Sequence, residues 1–208
     1  MMTLATIKRL KEDSIVVYVG GYDGRVATNY LNCRPFALHI IEPCPKNYKI
    51  MKKNLESYPD VKCHQMAIGG ETGGGMLNVC HFSGKAGSSG SNSLFKDHLK
   101  KFKKIPVQTC TMDDFVKING IDHIDLLKLN CEGGEYFIFP GDWMDITDMI
   151  SVSFHAKNKF FNSDRFVEKR KEIYQHLESK GFILDIGKKW LTSDTHINQL
   201  WRKSKGGK

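Results

Sequence analysis

The stretch Ile15-Val16-Val17-Tyr18-Val19-Gly20-Gly21-Tyr22-Asp23-Gly24 decides the fold. Five apolar or aromatic residues in an unbroken run suit a strand buried on both faces, as in a parallel sheet. The glycines that follow suit a tight strand-to-helix turn, because glycine tolerates positive φ and lets the backbone approach a ligand closely. After the turn, Val26, Ala27, Tyr30 and Leu31 recur at helical spacing. In open α/β sheets ligands sit beyond the carboxyl ends of the strands at the topological switch point, and this turn falls there.

Outward from that stretch the alternation continues. Phe36 to Ile41 reads as a second strand ending at Glu42. Pro43 and Pro45 punctuate a turn, and Pro45 is placed to start a helix whose apolar stripe is Tyr48, Met51 and Leu55. Val61 to Ile68 reads as a third strand. Strands alternating with helices predict a right-handed, doubly wound, mostly parallel sheet with helices on both faces. The middle breaks the rhythm: a glycine loop over Gly69 to Gly75, an extra strand over Met76 to Phe82, and a Gly/Ser-rich segment over Ser83 to Ser93. A short basic helix marked by Phe95, Leu99 and Phe102 follows, then a strand over Ile105 to Cys110. Thr111-Met112-Asp113-Asp114 resembles a capping box for a helix ending near Gly120. Regularity returns with strands over Ile124 to Leu129 and Met149 to Phe154. A long helix is lined by Phe166, Arg170, Ile173 and Leu177 and stops before Gly181, and Phe182 to Ile186 pairs with Ile197 to Trp201. The expected organisation is a helical lead-in over 1–14, one domain over 15–202 with an insertion over about 69–104, and a basic tail over 203–208.

Composition bounds the function classes. The 208 residues, 40% hydrophobic and 26% charged, fit one globular domain. No apolar run approaches the roughly 20 residues that span a bilayer, and the N-terminus lacks a signal-peptide core, so a cytoplasmic location and no membrane partner are expected. The six cysteines, Cys33, Cys44, Cys63, Cys80, Cys110 and Cys131, include no C-x-x-C pair, which argues against a zinc knuckle or a disulfide framework, and no metal is expected. The net charge of +8 permits an anionic partner. Part of it is concentrated in Lys96, Lys100, Lys101, Lys103 and Lys104 and in the tail, where two solvated surfaces and a frayed end are the favoured explanation.

Glu42 follows the glycine turn by about 20 residues, the place where dinucleotide folds put a ribose-binding acid. The spacing is G-G-x-x-G, so the G-x-G-x-x-G dinucleotide fingerprint is missing. Asp23 at the helix start would repel a phosphate. S-adenosylmethionine carries a sulfonium and an ammonium and no phosphate, so an acidic, glycine-lined pocket suits it better than NAD. The alternative is a tight turn whose Asp only caps.

A second segment, Lys128-Leu129-Asn130-Cys131-Glu132-Gly133-Gly134-Glu135-Tyr136, follows the strand expected beside the first one. Two acids flanking Gly-Gly suit a capped helix start, but that does not explain Lys128 and Asn130 at the end of an apolar strand. The ordered set Tyr18 to Gly24, Ile41-Glu42-Pro43-Cys44-Pro45, Ala67-Ile68-Gly69, Thr111 to Phe115 and Ile124 to Glu135 resembles the FkbM-type methyltransferase family over roughly Ile15 to His155. The resemblance implies a Rossmann-like, seven-stranded α/β fold, S-adenosylmethionine as cofactor, and O-methylation of a sugar hydroxyl in a glycan or glycosylated metabolite. It implies that Gly20, Gly21, Tyr22, Asp23 and Gly24 line the cofactor, with Gly20 and Gly24 at its methionine moiety. It also implies that Glu42 with Pro43 holds the ribose, that Met66 and Ala67 lie near the adenine, and that Asn130, Glu132 and Glu135 form the cofactor–acceptor edge. Ser91 and Ser93 would reach over the cofactor. The chain departs from the family at Tyr18, where an acid is usual, and at Asn130, where Asp is frequent; Asn130 cannot be a general base.

Candidate catalytic residues are Glu132 and His155 as bases, Asn130 at the edge, and Lys128 to orient a carboxylate or neutralise an anionic acceptor. For His155 a cap or backbone bond is the structural alternative. Two other functions are compatible with the sequence. RNA 2′-O-methylation fits the charge, although no stacking platform of interleaved basic and aromatic residues is present. A non-catalytic scaffold fits Tyr18 and Asn130. Phe160 and Phe161 suit stacking on a sugar or simple packing.

Overall fold

The computed structural model describes residues 6–33, 35–80, 92–94, 102–155, 163–189 and 197–204. Several expectations lie outside these residues: the start of the lead-in, most of the Gly/Ser-rich segment including Ser91, the helical positions Phe95 and Leu99, the pair Phe160 and Phe161, and the end of the tail.

Seven strands form one sheet: β1 (Ile15–Val19), β2 (Ala37–Ile41), β3 (Val61–His64), β7 (Ile124–Leu129), β8 (Thr147–Phe154), β9 (Phe182–Ile186) and β10 (Ile197–Lys203). Their order is β3-β2-β1-β7-β8-β10-β9. All neighbours are parallel except β10, which runs antiparallel to both β8 and β9. This is the Rossmann-like, mostly parallel sheet that the alternating apolar runs predict. A separate three-stranded sheet, β4 (Ala67–Ile68), β6 (Phe102–Cys110) and β5 (Gly73–Cys80), is attached beside it.

Residues of β1 alternate between two cores, one on each sheet face. Val17 and Val19 join a large cluster with Phe115, Tyr136, Trp143, Phe154 and Trp201. Val16 and Tyr18 join a smaller one with Tyr30, Ile40, Met51 and Leu55. The helices α1 (Thr28–Leu31), α2 (Pro45–Asn54), α3 (Met112–Ile118) and α4 (Asp164–Ser179) supply the covering residues. Pro45 opens α2, and Thr111 caps α3 by accepting the Asp114 amide at 3.1 Å. Phe166, Arg170, Ile173 and Leu177 form the buried side of α4.

Four local expectations are corrected. Val61 to Ile68 is not one strand. β2 ends at Ile41, which pairs with His64, so the chain has no partner beyond that point in the main sheet. It turns, and Ala67 and Ile68 pair instead with Thr109 and Cys110. The glycine loop over 69–75 is shorter than expected, because Gly73, Gly74 and Gly75 already pair with Thr109, Gln108 and Val107. Phe102, expected in a helix, opens β6 opposite Cys80. The helix after the glycine turn is a single turn, and Val26, expected at its helical spacing, is 47% exposed.

Candidate active site

The glycine turn closes the carboxyl end of β1 against β2 and β7. Gly20 has φ +90°, and a Cβ there would stand 1.9 Å from the Asn130 carbonyl oxygen. Only glycine lets these strand ends meet. The Gly20 and Gly21 amides both donate to the Ile41 carbonyl at 3.0 Å, and the Asn130 amide donates to the Val19 carbonyl at 3.0 Å. A Cβ on Gly21 would strike Ile40 and Met51. Tyr22 also sits in the left-handed region, at φ 53°. The Asp23 carboxylate is engaged by Arg25, whose Nε donates at 2.6 Å. Gly24 differs from its expected role: it faces Leu55 and Met51 of α2 and is not part of the cleft wall described below.

Glu42 follows β2 and is buried. Its Oε2 accepts the Tyr22 amide at 2.9 Å. Its Oε1 accepts the Cys44 amide at 3.0 Å and the Asn47 side-chain amide at 3.2 Å. Burial pushes its pKa up to about 7, and these hydrogen bonds only partly oppose the shift.

Beyond β7 the chain makes a tight turn with Glu132 at φ 51° and Gly133 at φ 96°. Glu135, fully buried, ties this turn together. Its Oε1 accepts the Cys131 amide at 2.8 Å and its Oε2 accepts the Gly133 amide at 2.8 Å. Its Oε1 also meets His155 Nδ1 at 2.8 Å, while His155 Nε2 lies 3.1 Å from Glu132 Oε1. Burial alone would lower the His155 pKa, but the carboxylates of Glu135 and Glu132 outweigh it and raise it to about 10. Burial would raise the pKa of Glu135, and His155 with the turn amides holds it below the ordinary value. Both imidazole nitrogens therefore donate to carboxylates, and His155 is a cation with no free lone pair. Tyr136 and the buried Arg170 back this arrangement: the Tyr136 hydroxyl donates to the His155 carbonyl at 3.2 Å and accepts from Arg170 at 2.7 Å.

Lys128 lies deeper on β7. Its Nζ donates to Ser153 Oγ at 3.0 Å, and Ser153 donates to Asn198 at 2.7 Å. Burial lowers its pKa to about 8, against the pull of Glu135. The Tyr18 hydroxyl bonds to the Asn130 side chain, and burial raises its pKa to about 12.

These segments enclose a cleft of about 320 Å³ at the carboxyl edge of the sheet. Of the residues expected from sequence, Gly20, Gly21, Tyr22, Asp23, Glu42, Pro43, Met66, Ala67, Asn130 and Glu132 line it. Lys128 and His155 do not line it; they stand behind Asn130 and Glu132. Ser93 is anchored at its rim: it bridges Asn78 of β5 and its Oγ donates to the Glu132 carbonyl at 2.7 Å. Its neighbours Asn92 and Leu94 line the cleft, as does Asn47. Sequence reading missed all three. The signal for Asn47 was a polar residue in the first turn of a helix that begins right after Glu42. Asn92 and Leu94 had no signal beyond adjacency to Ser93.

The profile of the methyltransferase FkbM domain matches residues 19–184. The chain belongs to the FkbM methyltransferase domain family. NoeI of Sinorhizobium fredii (strain NBRC 101917 / NGR234), a 2-O-methyltransferase, is 27% identical over 141 residues, which are 63% of this chain and 58% of NoeI. The methyltransferase FkbM of Methylobacillus flagellatus KT superposes with a TM-score of 0.55 at 12% identity, over 93% of this chain and 44% of that one. TrmK of M. capricolum, solved with S-adenosylhomocysteine, gives 0.54 at 11% identity, over 99% and 69%. This FkbM-type domain thus spans little more than half of NoeI and less than half of the M. flagellatus chain, and at such identities the superpositions show a shared fold. Among the described residues no helix is long and apolar enough to cross a membrane. His123, Asp125 and Asp148 form a cluster with metal-ligand spacing. It stands near the starts of β7 and β8, at the opposite end of those strands from the cleft.

Proposed function

We propose that the cleft holds S-adenosylmethionine and that the domain methylates a hydroxyl of a sugar in a glycan or glycosylated metabolite. One observation carries this reading: three adjacent strands end in a glycine turn, a buried carboxylate and an Asn-Cys-Glu turn that share a single cleft. The groups present fit an adenosyl cofactor. Gly20 and Gly21 leave room for close backbone approach, Glu42 retains a lone pair for a ribose hydroxyl, and Met66, Ala67 and Ile68 offer an apolar wall for a base. The clefts of NAD enzymes need positive potential at the turn; here Glu42 stands instead, and Arg25 beside the turn is already paired with Asp23. O-methylation is supported by the likeness to NoeI, and the sugar class by the family resemblance.

Bound in the cleft, the cofactor supplies an electrophilic methyl group on a sulfonium. The chain's own residues align the acceptor and remove its proton. We assign the proton to Glu132. His155 has both nitrogens committed as donors, so it cannot accept a proton; it orients the Glu132 carboxylate instead. Glu132, His155 and Glu135 together carry one net negative charge, which favours a cation beside them before transfer. Lys128, behind this group, balances the buried charge of Glu135. A cytoplasmic setting belongs to the same reading: the five cysteines with described side chains are free thiols.

Calorimetry with S-adenosylhomocysteine, followed by methylation assays on a panel of sugars, tests the reading. The expected outcome is saturable binding, with His155→Ala keeping that binding while turnover falls by about 100-fold. Loss of binding in His155→Ala equal to that in Glu42→Ala would refute the division of roles. The net charge of +8 supports a second reading, 2′-O-methylation of RNA; RNA binding with a steep salt dependence would favour it.

A further inference from the structure

Asn47 is the fifth residue after Glu42 and stands in the first turn of α2. It is 2% exposed, yet it lines the cleft. Its amide nitrogen donates to Glu42 Oε1 at 3.2 Å. Its carbonyl oxygen Oδ1 is buried and has no hydrogen-bond partner among the described residues. A buried acceptor left without a donor is costly, on the order of 1–3 kcal/mol, and native proteins seldom keep one without a use. While Glu42 is ionised, the nitrogen bond to it also fixes which end of the amide carries the oxygen: reversing the amide would set two acceptors against each other. Glu42 Oε2, for its part, accepts only the Tyr22 amide among the described residues. Glu42 and Asn47 therefore each keep an oxygen with an unused lone pair, tied to each other through the Asn47 nitrogen; Oδ1 is sealed beneath the cleft wall, so a ligand reaches it only if the amide turns.

We propose that Asn47 is a ribose-recognising residue. Glu42 Oε2 accepts one hydroxyl of the ribose diol and Asn47 Oδ1 accepts the other. The assignment rests on the cofactor reading given above. A pair of acceptors side by side matches a vicinal diol, whose two hydroxyls both donate. It does not match a 2′-phosphate, which brings only acceptors and a charge that Glu42 repels. In this arrangement the acid does not hold both hydroxyls alone, and the ligand completes the hydrogen bonding of a side chain that folding leaves incomplete.

The test uses calorimetry on the whole chain with three probes: S-adenosylhomocysteine, its 2′-deoxy counterpart and its 3′-deoxy counterpart. The wild type is expected to bind each deoxy probe about tenfold more weakly than the parent. Asn47→Leu, which keeps the volume and removes the acceptor, is expected to bind the parent about tenfold more weakly and to stop distinguishing it from one deoxy probe, while still discriminating against the other through Glu42. Thermal unfolding of the unliganded variant is the companion readout of folding, because Asn47→Leu also removes the amide nitrogen that donates to Glu42 Oε1; the deoxy-probe discrimination is what a merely structural Asn47 would not move. Asn47→Ala serves if the leucine variant does not fold. Equal affinity of the wild type for all three probes, or a variant that keeps both discriminations, overturns the assignment. Failure of the wild type to bind S-adenosylhomocysteine at all overturns the cofactor reading, and this inference falls with it.

Discussion

Glu42 and Glu135 are both buried carboxylates at the carboxyl edge of one sheet, and their surroundings oppose each other. Glu135 accepts two backbone amides and faces the cationic His155. Its charge is compensated, and its pKa is held below the ordinary value despite complete burial. Glu42 also accepts two backbone amides, and one side-chain amide, but among the described residues no cation faces it. Burial wins there, and its pKa climbs to about 7. A carboxylate that the fold has finished compensating serves the fold. One left short of donors is poised for a ligand that brings them. On this view Glu135 positions the turn that carries Glu132, and Glu42 is the proposed cofactor residue.

Breaking each carboxylate should therefore give different phenotypes. Glu135→Gln removes one partner of a buried ion pair and should lower stability by roughly 3 kcal/mol in urea denaturation. A loss below 1 kcal/mol would place Glu135 outside the folding core of the site. Glu42→Ala should leave the fold in place and weaken S-adenosylhomocysteine binding by roughly 30- to 100-fold, the worth of a hydrogen bond to a charged group. If Glu42→Ala unfolds the protein and Glu135→Gln only weakens binding, the contrast is inverted and the roles are misassigned.

The pH dependence sharpens the same contrast. The folded pKa of His155, about 10, lies above its ordinary 6.5, so the folded state holds the extra proton in between. The stability His155 contributes is full below pH 6.5 and is lost as pH rises towards 10. Glu135, with a lowered pKa, contributes stability that is lost as pH falls below its ordinary 4.5. The thermal advantage of the wild type over Glu135→Gln should accordingly be largest between about pH 5 and 6.5 and shrink on both sides. Glu42 should behave differently. With a pKa of about 7 it is half protonated at neutrality, so S-adenosylhomocysteine affinity should fall, by a few-fold per pH unit, as pH drops below 7. Glu42→Ala should abolish that dependence. A flat binding profile in the wild type would mean that Glu42 does not titrate with the ligand site.

The main sheet was legible because parallel strands buried on both faces leave continuous apolar runs, as β1, β2 and β7 do, and because Gly20, Pro45, Thr111 and Gly181 punctuate them. The second sheet was harder to read. Its strands carry Gly73, Gly74, Gly75, Lys103, Lys104 and Pro106, residues with little strand preference, and they are strands because of partners distant in sequence. The break inside 61–68 depends on where β2 stops, which no local feature of that stretch encodes. That Gly20, Glu42, Asn130 and Glu132 share one cleft was readable because strand ends in such sheets converge on one edge. A glycine in a turn signals backbone freedom or close approach without saying to what; at Gly24, Leu55 is what approaches. Glu135, Tyr136 and Arg170 act through contacts between β7, β8 and α4 that only the folded chain reveals.

Calorimetric titration of the wild-type protein with S-adenosylhomocysteine at pH 8 tests the central claim most directly, since Glu42 is ionised there. The expected result is one site per chain with a dissociation constant on the order of micromolar, weakened roughly 30- to 100-fold in Glu42→Ala. No heat of binding at millimolar ligand, or binding that Glu42→Ala leaves unchanged, would contradict it.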